Sequence, residues 1–384
     1  MIARNSLLSV VLSKIELYKV TALLGPRQCG KTTLAREIIS LKNAVYFDLE
    51  DPDCPLQEER AKLILERYNN LVVIDEIQLQ PSLFSLLRVL SDRPENSCRF
   101  LILGSASPVI IKNVSETLAG RVALVEMAGF TLDEVEEKQE ENLWLRGGFP
   151  LSYLADSDSF SFDWRKNFVK TFLERDIPQL GIRVPAARLR RFWTMLAHYH
   201  GNLWNASDIA RSLGSKEDTA RHYLDILSGT FLIRQLQPWF ENTRKRLVKS
   251  PKIYFRDTGL LHFLLGSENF MSLLSNPKLG LSWEGWCIEQ IIHILDAGDN
   301  VYFYATHSGA ELDLLINFKG KRYGFEFKYM DSPRIIKSMT VVLEDLKLER
   351  LYVVYPGQRS FPLKDRIELL PISKIRGLKK ILGG

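Results

Sequence analysis

The sequence predicts an α/β protein of several domains, led by a parallel β-sheet, and three features carry that prediction. A short apolar run at 20–24 is followed by a glycine-bounded loop and then by a helical pattern over 34–39. Further apolar runs at 71–74 and 99–104 are continuous and not alternating, the pattern of strands buried on both faces of a parallel sheet. The last third runs helix, three strands, helix, strand. A length of 384 residues suits two or three domains, each able to bury a core. With 46% hydrophobic and 25% charged residues, disordered, collagen-like and disulfide-scaffold chains are excluded.

At the start, the apolar residues of 7–12 are followed by Lys14, Glu16 and Lys19. This predicts an amphipathic helix and not a signal peptide. No apolar run approaches the length of a membrane-spanning helix, so no membrane association is expected. The cysteines Cys29, Cys54, Cys98 and Cys287 are scattered without metal-ligand spacing, which fits a reducing, cytoplasmic setting.

The loop after the first strand reads Gly25, Pro26, Arg27, Gln28, Cys29, Gly30, Lys31, Thr32, Thr33. This is G-x-x-x-x-G-K-T between a strand and a helix, the context that a phosphate-cradling loop needs. Glycines let backbone N–H groups wrap phosphates, and the helix N-terminus adds partial positive charge. Lys31 is expected to reach the terminal phosphates of ATP and Thr32 to offer its hydroxyl to Mg²⁺. Asp75 ends the second apolar run and completes the Mg²⁺ shell. Glu76 beside it polarises the attacking water. Ser105 ends the third run, where a small polar side chain senses the γ-phosphate; the other reading is a plain turn. A helix over 109–118 leads to Arg121, placed at the rim of the site to reach a neighbouring subunit's nucleotide, or else a surface arginine.

The segments Gly25-Pro-Arg-Gln-Cys-Gly-Lys-Thr-Thr-Leu, Val72-Val-Ile-Asp-Glu-Ile-Gln78, Gly104-Ser-Ala-Ser107, Leu118-Ala-Gly-Arg121 and Gly147-Gly-Phe-Pro150 resemble a family of prokaryotic AAA+ ATPases with a C-terminal DUF4143 region. The likeness runs over nearly the whole chain. Cys29 stands where valine is more usual and Ala106 where serine is, and neither change removes a catalytic group. The resemblance implies an ASCE-type sheet with a small helical lid. It also implies self-association through a trans-acting arginine, with a hexameric ring the favoured form.

Charge is unevenly spread. Residues 183–256 hold 14 Lys and Arg against 5 Asp and Glu, while the whole chain is only +5. A basic segment concentrates polyanions such as DNA, or is a solvated face. Within it, 207–213 and 217–227 read as two helices joined by a turn. Strands at 231–236 and 252–256 flank a basic tip. This is winged-helix order. Lys216, Thr219, Arg221 and His222 face outward on the second helix, and Arg244, Lys245 and Arg246 form the wing tip: a nucleic-acid surface, or a protein-interaction module.

The C-terminal αβββαβ order is that of a restriction-endonuclease-like fold. Asp313 precedes Glu326-Phe-Lys328 by thirteen residues, in the form of a PD-(D/E)XK motif. Strand alternation puts Glu326 and Lys328 on one face. Asp313 and Glu326 form a candidate second metal site, with Glu284 and Lys328 beside it; the other reading is a non-catalytic relic. The expected domains are an ATPase core (1–135), a helical lid (136–196), a winged helix (197–260) and an endonuclease-like domain (261–384). Three functions follow: an ATP-driven DNA-acting machine, an ATP-licensed Mg²⁺-dependent nuclease, or a signalling ATPase whose winged helix binds only protein.

Overall fold

The computed structural model describes residues 2–57, 60–95, 97–105, 114, 116–240, 247–298 and 300–383. The chain forms two compact units. One comprises Met1–Gly129 with Asp176–Arg183 and Asp225–Leu232; the other comprises Phe130–Arg175, Val184–Leu224 and Ile233–Gly384.

The first unit is built on a five-stranded sheet in the order β2-β3-β4-β1-β5. Its strands are β1 (Val20–Gly25), β2 (Val45–Asp48), β3 (Leu71–Asp75), β4 (Arg99–Ser105) and β5 (Val122–Glu126). Every pairing is parallel. The continuous apolar runs become β1, β3 and β4, and all of β1 and β3 is buried. Val20, Ala22, Val72, Ile74, Phe100 and Ile102 pack into one apolar cluster. The edge strand β2 has only one buried residue and gives a weaker apolar signal. The N-terminal segment forms the helix Asn5–Leu17, burying Val11 and Ile15. Of the expected helix over 109–118, only 114 and 116–118 are described.

The second unit carries a six-stranded mixed sheet, ordered β12-β13-β11-β10-β9-β8. After the helix Leu279–Leu295 come β8 (Val301–Ala305), β9 (Glu311–Phe318) and β10 (Lys321–Phe327), then the helix Lys337–Asp345 and β11 (Arg350–Tyr355). The αβββαβ order is therefore present. Two strands beyond it, β12 (Phe361–Lys364) and β13 (Ile367–Pro371), extend the sheet. Trp144 lies at the centre of an aromatic cluster with Trp283, Trp286 and Tyr329, its ring 5.0–6.2 Å from theirs. Its indole N–H donates to Ser282 Oγ at 3.0 Å.

The helices Ala186–Tyr199, Ala206–Leu213 and Glu217–Gly229 are followed by the antiparallel pair β6 (Ile233–Leu236) and β7 (Lys252–Phe255). The division between the units falls within the third helix. The second helix starts one residue earlier than expected, because Asn205 is the cap: its side chain accepts from the N–H groups of Ser207 and Asp208. The flanks of the expected wing hydrogen-bond to β8. Trp239 N–H donates to Phe303 O at 2.7 Å and Val248 N–H to Ala305 O at 3.1 Å. This contact covers an otherwise open sheet edge.

Glu289 is buried between Arg234, at 2.9 Å, and Arg256, at 3.2 Å, with His293 at 3.7 Å. Burial alone would raise its pKa; the two guanidinium groups outweigh burial and hold it at about 2. A carboxylate with a lowered folded-state pKa stabilises the fold above its unfolded value and loses that contribution as pH falls toward the folded one. Stability of the native protein is therefore expected to fall between about pH 4.5 and pH 2. Glu289→Gln should cost about 3–5 kcal/mol near neutral pH, by leaving two buried cations uncompensated, and should flatten that acid limb in denaturant titrations.

Candidate functional site

The nucleotide-site residues converge because parallel strands release their loops at one end. Gly25 ends β1 in register with Ser105 at the end of β4, and Asp75 ends β3. Gly25 admits no side chain: a Cβ there would lie 2.1 Å from Met127 O. Gln28 and Gly30 take left-handed backbone, at φ of 63° and 101°, which turns the loop back onto the helix Lys31–Lys42. Lys31 is buried, and its ammonium donates to the carbonyls of Pro26 at 2.8 Å and Gly25 at 3.1 Å. The Cys29 thiol is also buried, 3.6 Å from Met127 O. Thr33 and Gln28 are exposed.

Thr32 Oγ1 donates to Asp75 Oδ2 at 2.9 Å, and Tyr46 OH to the same oxygen at 3.0 Å. Burial and the Asp75 charge hold the Tyr46 phenol well above its ordinary pKa, so it stays a neutral donor. Glu76 adopts φ of 52° and donates its N–H to Asp75 Oδ1 at 2.9 Å. Gln78 Nε2 donates to Glu76 Oε2, and Ser105 Oγ lies 3.5 Å from that oxygen. Burial raises the Glu76 pKa, opposed by Lys31. Sequence reasoning missed Tyr46 and Gln78. Only Gln78, two residues past Glu76, lay within a quoted motif.

Arg121 is not at the rim of this chain's own site. It precedes β5, and its carbonyl accepts from Val20 N–H at the start of β1. The strand length from there to the phosphate loop is about 16 Å. Its guanidinium pairs with Asp92, at 3.0 Å for one arm.

In the second unit, Glu284, Asp313, Glu326 and Lys328 do meet. Lys328 Nζ is 3.0 Å from Glu326 and 4.0 Å from Asp313. Asp313 Oδ2 accepts the N–H of Phe327 at 3.0 Å. From β7, Lys252 enters the cluster, 3.5 Å from Glu284 and 2.6 Å from Glu311, and Tyr254 OH donates to Glu284. Burial, then Asp313, raise the pKa of Glu326 to about 8 and that of Glu284 to about 7. Two ammonium groups, Lys252 and Lys328, face the four carboxylates of Glu284, Glu311, Asp313 and Glu326, and among the described residues no three His, Cys, Asp or Glu are grouped to hold a metal ion. Sequence reasoning placed Lys252 on a strand of the basic segment and not in this cluster.

Residues 17–136 match the family described as an AAA domain, and residues 279–375 match DUF4143, a domain of unknown function. Residues 137–270 match another domain of unknown function, DUF8612. An uncharacterized protein of Mycobacterium tuberculosis is 49% identical over 356 residues, covering 93% of this chain and 80% of that one; one of Mycobacterium bovis matches equally. This chain belongs to the AAA+ ATPases that carry a C-terminal DUF4143 region. The Walker-type ATPase PABY2304 of Pyrococcus abyssi shares the fold at a TM-score of 0.51 and 17% identity, over 69% of this chain and 96% of that one. For this AAA+ ATPase, the P-loop fold implies nucleotide binding.

On the basic helices, Lys216, Arg221 and His222 are exposed and Thr219 is half-buried. Arg221 lies 3.8 Å from Glu217 on its own helix. Arg244, Lys245 and Arg246 lie outside the described residues. Arg188, Arg190 and Arg191, which the motif reading passed over, are exposed on the helix Ala186–Tyr199. Three positive charges of the basic segment, Arg234, Lys252 and Arg256, are neutralised by carboxylates beyond it. No helix among the described residues is long and apolar enough to cross a membrane.

A carboxyl whose folded pKa is raised stabilises below its unfolded value and loses that contribution as pH rises through the folded one. The Glu284–Glu326 cluster should therefore lower thermal stability between about pH 4.5 and pH 8. Glu326→Gln should make the melting temperature less dependent on pH across that window.

Proposed function

We propose that this AAA+ ATPase hydrolyses ATP and couples turnover to DNA held on its exposed basic helices. The observation that carries the proposal is the meeting of Lys31, Thr32, Asp75, Glu76 and Ser105 at one end of the sheet. Backbone N–H groups of residues 27–33 cradle the phosphates, and Lys31 exchanges loop carbonyls for phosphate oxygens. The Thr32 hydroxyl and Asp75 carboxylate form an all-oxygen pair suited to Mg²⁺, which when bound supplies charge neutralisation on the phosphates. Glu76, with its pKa raised by burial, is a stronger base toward the attacking water, and Gln78 fixes its orientation. Ser105 reads the terminal phosphate beside it.

Arg121, half-buried and held by exposed Asp92 through two hydrogen bonds, acts in a neighbouring subunit's site on release from that pair, so self-association belongs to the proposal. DNA is held through Arg188, Arg190, Arg191, Lys216, Arg221 and His222, all exposed, and through the wing residues Arg244, Lys245 and Arg246. The division into core, lid, winged helix and endonuclease-like domain is kept as the working assignment. Strand cleavage is not part of the proposal.

Lys31→Ala is expected to lose nucleotide binding. Glu76→Gln should bind ATP and turn over about 100-fold more slowly or worse. Normal turnover in Glu76→Gln would remove its role. Hydrolysis measured with duplex, single-stranded and branched DNA at two salt concentrations tests the coupling. Stimulation that fades with salt is expected. Turnover indifferent to every DNA form would leave an ATPase whose basic helices serve another partner.

A further inference from the structure

Arg27 sits inside the phosphate loop, yet its side chain is not solvated. One arm of its guanidinium donates to Asp176 Oδ1 at 2.6 Å, and the other lies 3.9 Å from Glu50. Asp176 is buried. It closes a π-helical turn, Phe172–Asp176, and Pro178 follows two residues on. Such turns are rare, and many mark functional sites. The Nε–H of Arg27 is buried and has no hydrogen-bond acceptor among the described residues. Buried donors without partners are uncommon, and each calls for an explanation. Arg27 is also close enough to Glu76 to lower its pKa against burial.

These facts point to a ligand. The orphan donor lies in the loop that wraps phosphates and near the carboxylate that addresses the attacking water. A guanidinium has five N–H donors in a rigid fork, so one arm can stay on Asp176 while the rest serve a phosphate oxygen. The 2.6 Å contact with buried Asp176 favours an anchored side chain over a swinging one, because breaking a buried ion pair is costly.

We infer that Arg27 contacts the terminal phosphate of ATP bound in its own chain, and that Asp176 is the residue positioning it there. The inference rests on the ATPase reading above and adds a cation in cis to the arginine proposed to act in trans. A terminal-phosphate contact discriminates ATP from ADP, because only ATP presents that group.

The test is the affinity of the full chain for a non-hydrolysable ATP analogue and for ADP, by calorimetry, together with kcat and KM for ATP. Arg27→Ala should weaken the ATP analogue about tenfold or more while changing ADP less than about threefold, and kcat should fall about 100-fold. Asp176→Asn should leave ADP binding intact and lower kcat about tenfold, and the double variant should be no worse than Arg27→Ala alone. An unchanged ratio of analogue to ADP affinity in folded Arg27→Ala would overturn the contact. Additive losses in the double variant would overturn the role of Asp176. Where Arg27→Ala fails to fold, Arg27→Lys decides by the same ratio, because an ammonium cannot hold both partners. If the native protein and Glu76→Gln prove equally inactive, the ATPase reading falls, while the affinity ratio still decides the Arg27 contact.

Discussion

The nucleotide site depends on the place of β1 between β4 and β5 in an all-parallel sheet. Parallel pairing sends every strand's C-terminus to the same edge, so Gly25, Asp75 and Ser105 arrive together although far apart in sequence. The same packing makes Gly25 obligatory, since the carbonyl after β5 fills the space that a side chain would need. Burial of β1 and β3 then sets the electrostatics. Glu76 emerges from a dry strand, and its charged form is penalised accordingly.

The second unit uses a sheet to opposite effect. Antiparallel β9 and β10 bring Asp313 and Glu326 together, the arrangement from which a cation site is made. Here the cations come from the chain itself. Lys252 and Lys328 satisfy the carboxylates, and Tyr254 and a backbone N–H take two of the remaining acceptor positions. In a buried cluster, satisfied acceptors stabilise, and removing a partner is costly. The motif is intact by residue type, and its carboxylates are held by lysines of the chain itself.

The sequence was most informative where one local rule determined the outcome. The strand–loop–helix around Lys31 needs only glycine geometry and helix polarity, and β1, β3 and β4 announced themselves as unbroken apolar runs. The two helices of the helix–turn–helix followed from their apolar spacing and turn, with one start a residue late and one end two residues short. The rest was hidden because it depends on pairings that local pattern does not encode. Tyr46 reaches Asp75 only because half-exposed β2 pairs with β3. Arg121 follows helical residues and precedes a strand, which gives its neighbours but not the end of the sheet it occupies. Lys252 reads as one more charge in a basic stretch until β7 carries it beside Glu284.

That last case changes how net charge is read. A local excess of nine positive charges suggests a strongly basic surface, yet Arg234, Arg256 and Lys252 point inward onto Glu289, Glu284 and Glu311. Buried cations contribute little to the field that attracts a polyanion, because their partner carboxylates cancel them at short range. Among the described residues, the exposed cations that remain include Arg188, Arg190 and Arg191 on one helix, Lys216 just before another and Arg221 on it. Arginines dominate this set, and their forked donors suit phosphate oxygens at fixed positions better than diffuse attraction does. The DNA contact proposed for this segment thus rests on the placement of a few exposed side chains and not on its total charge.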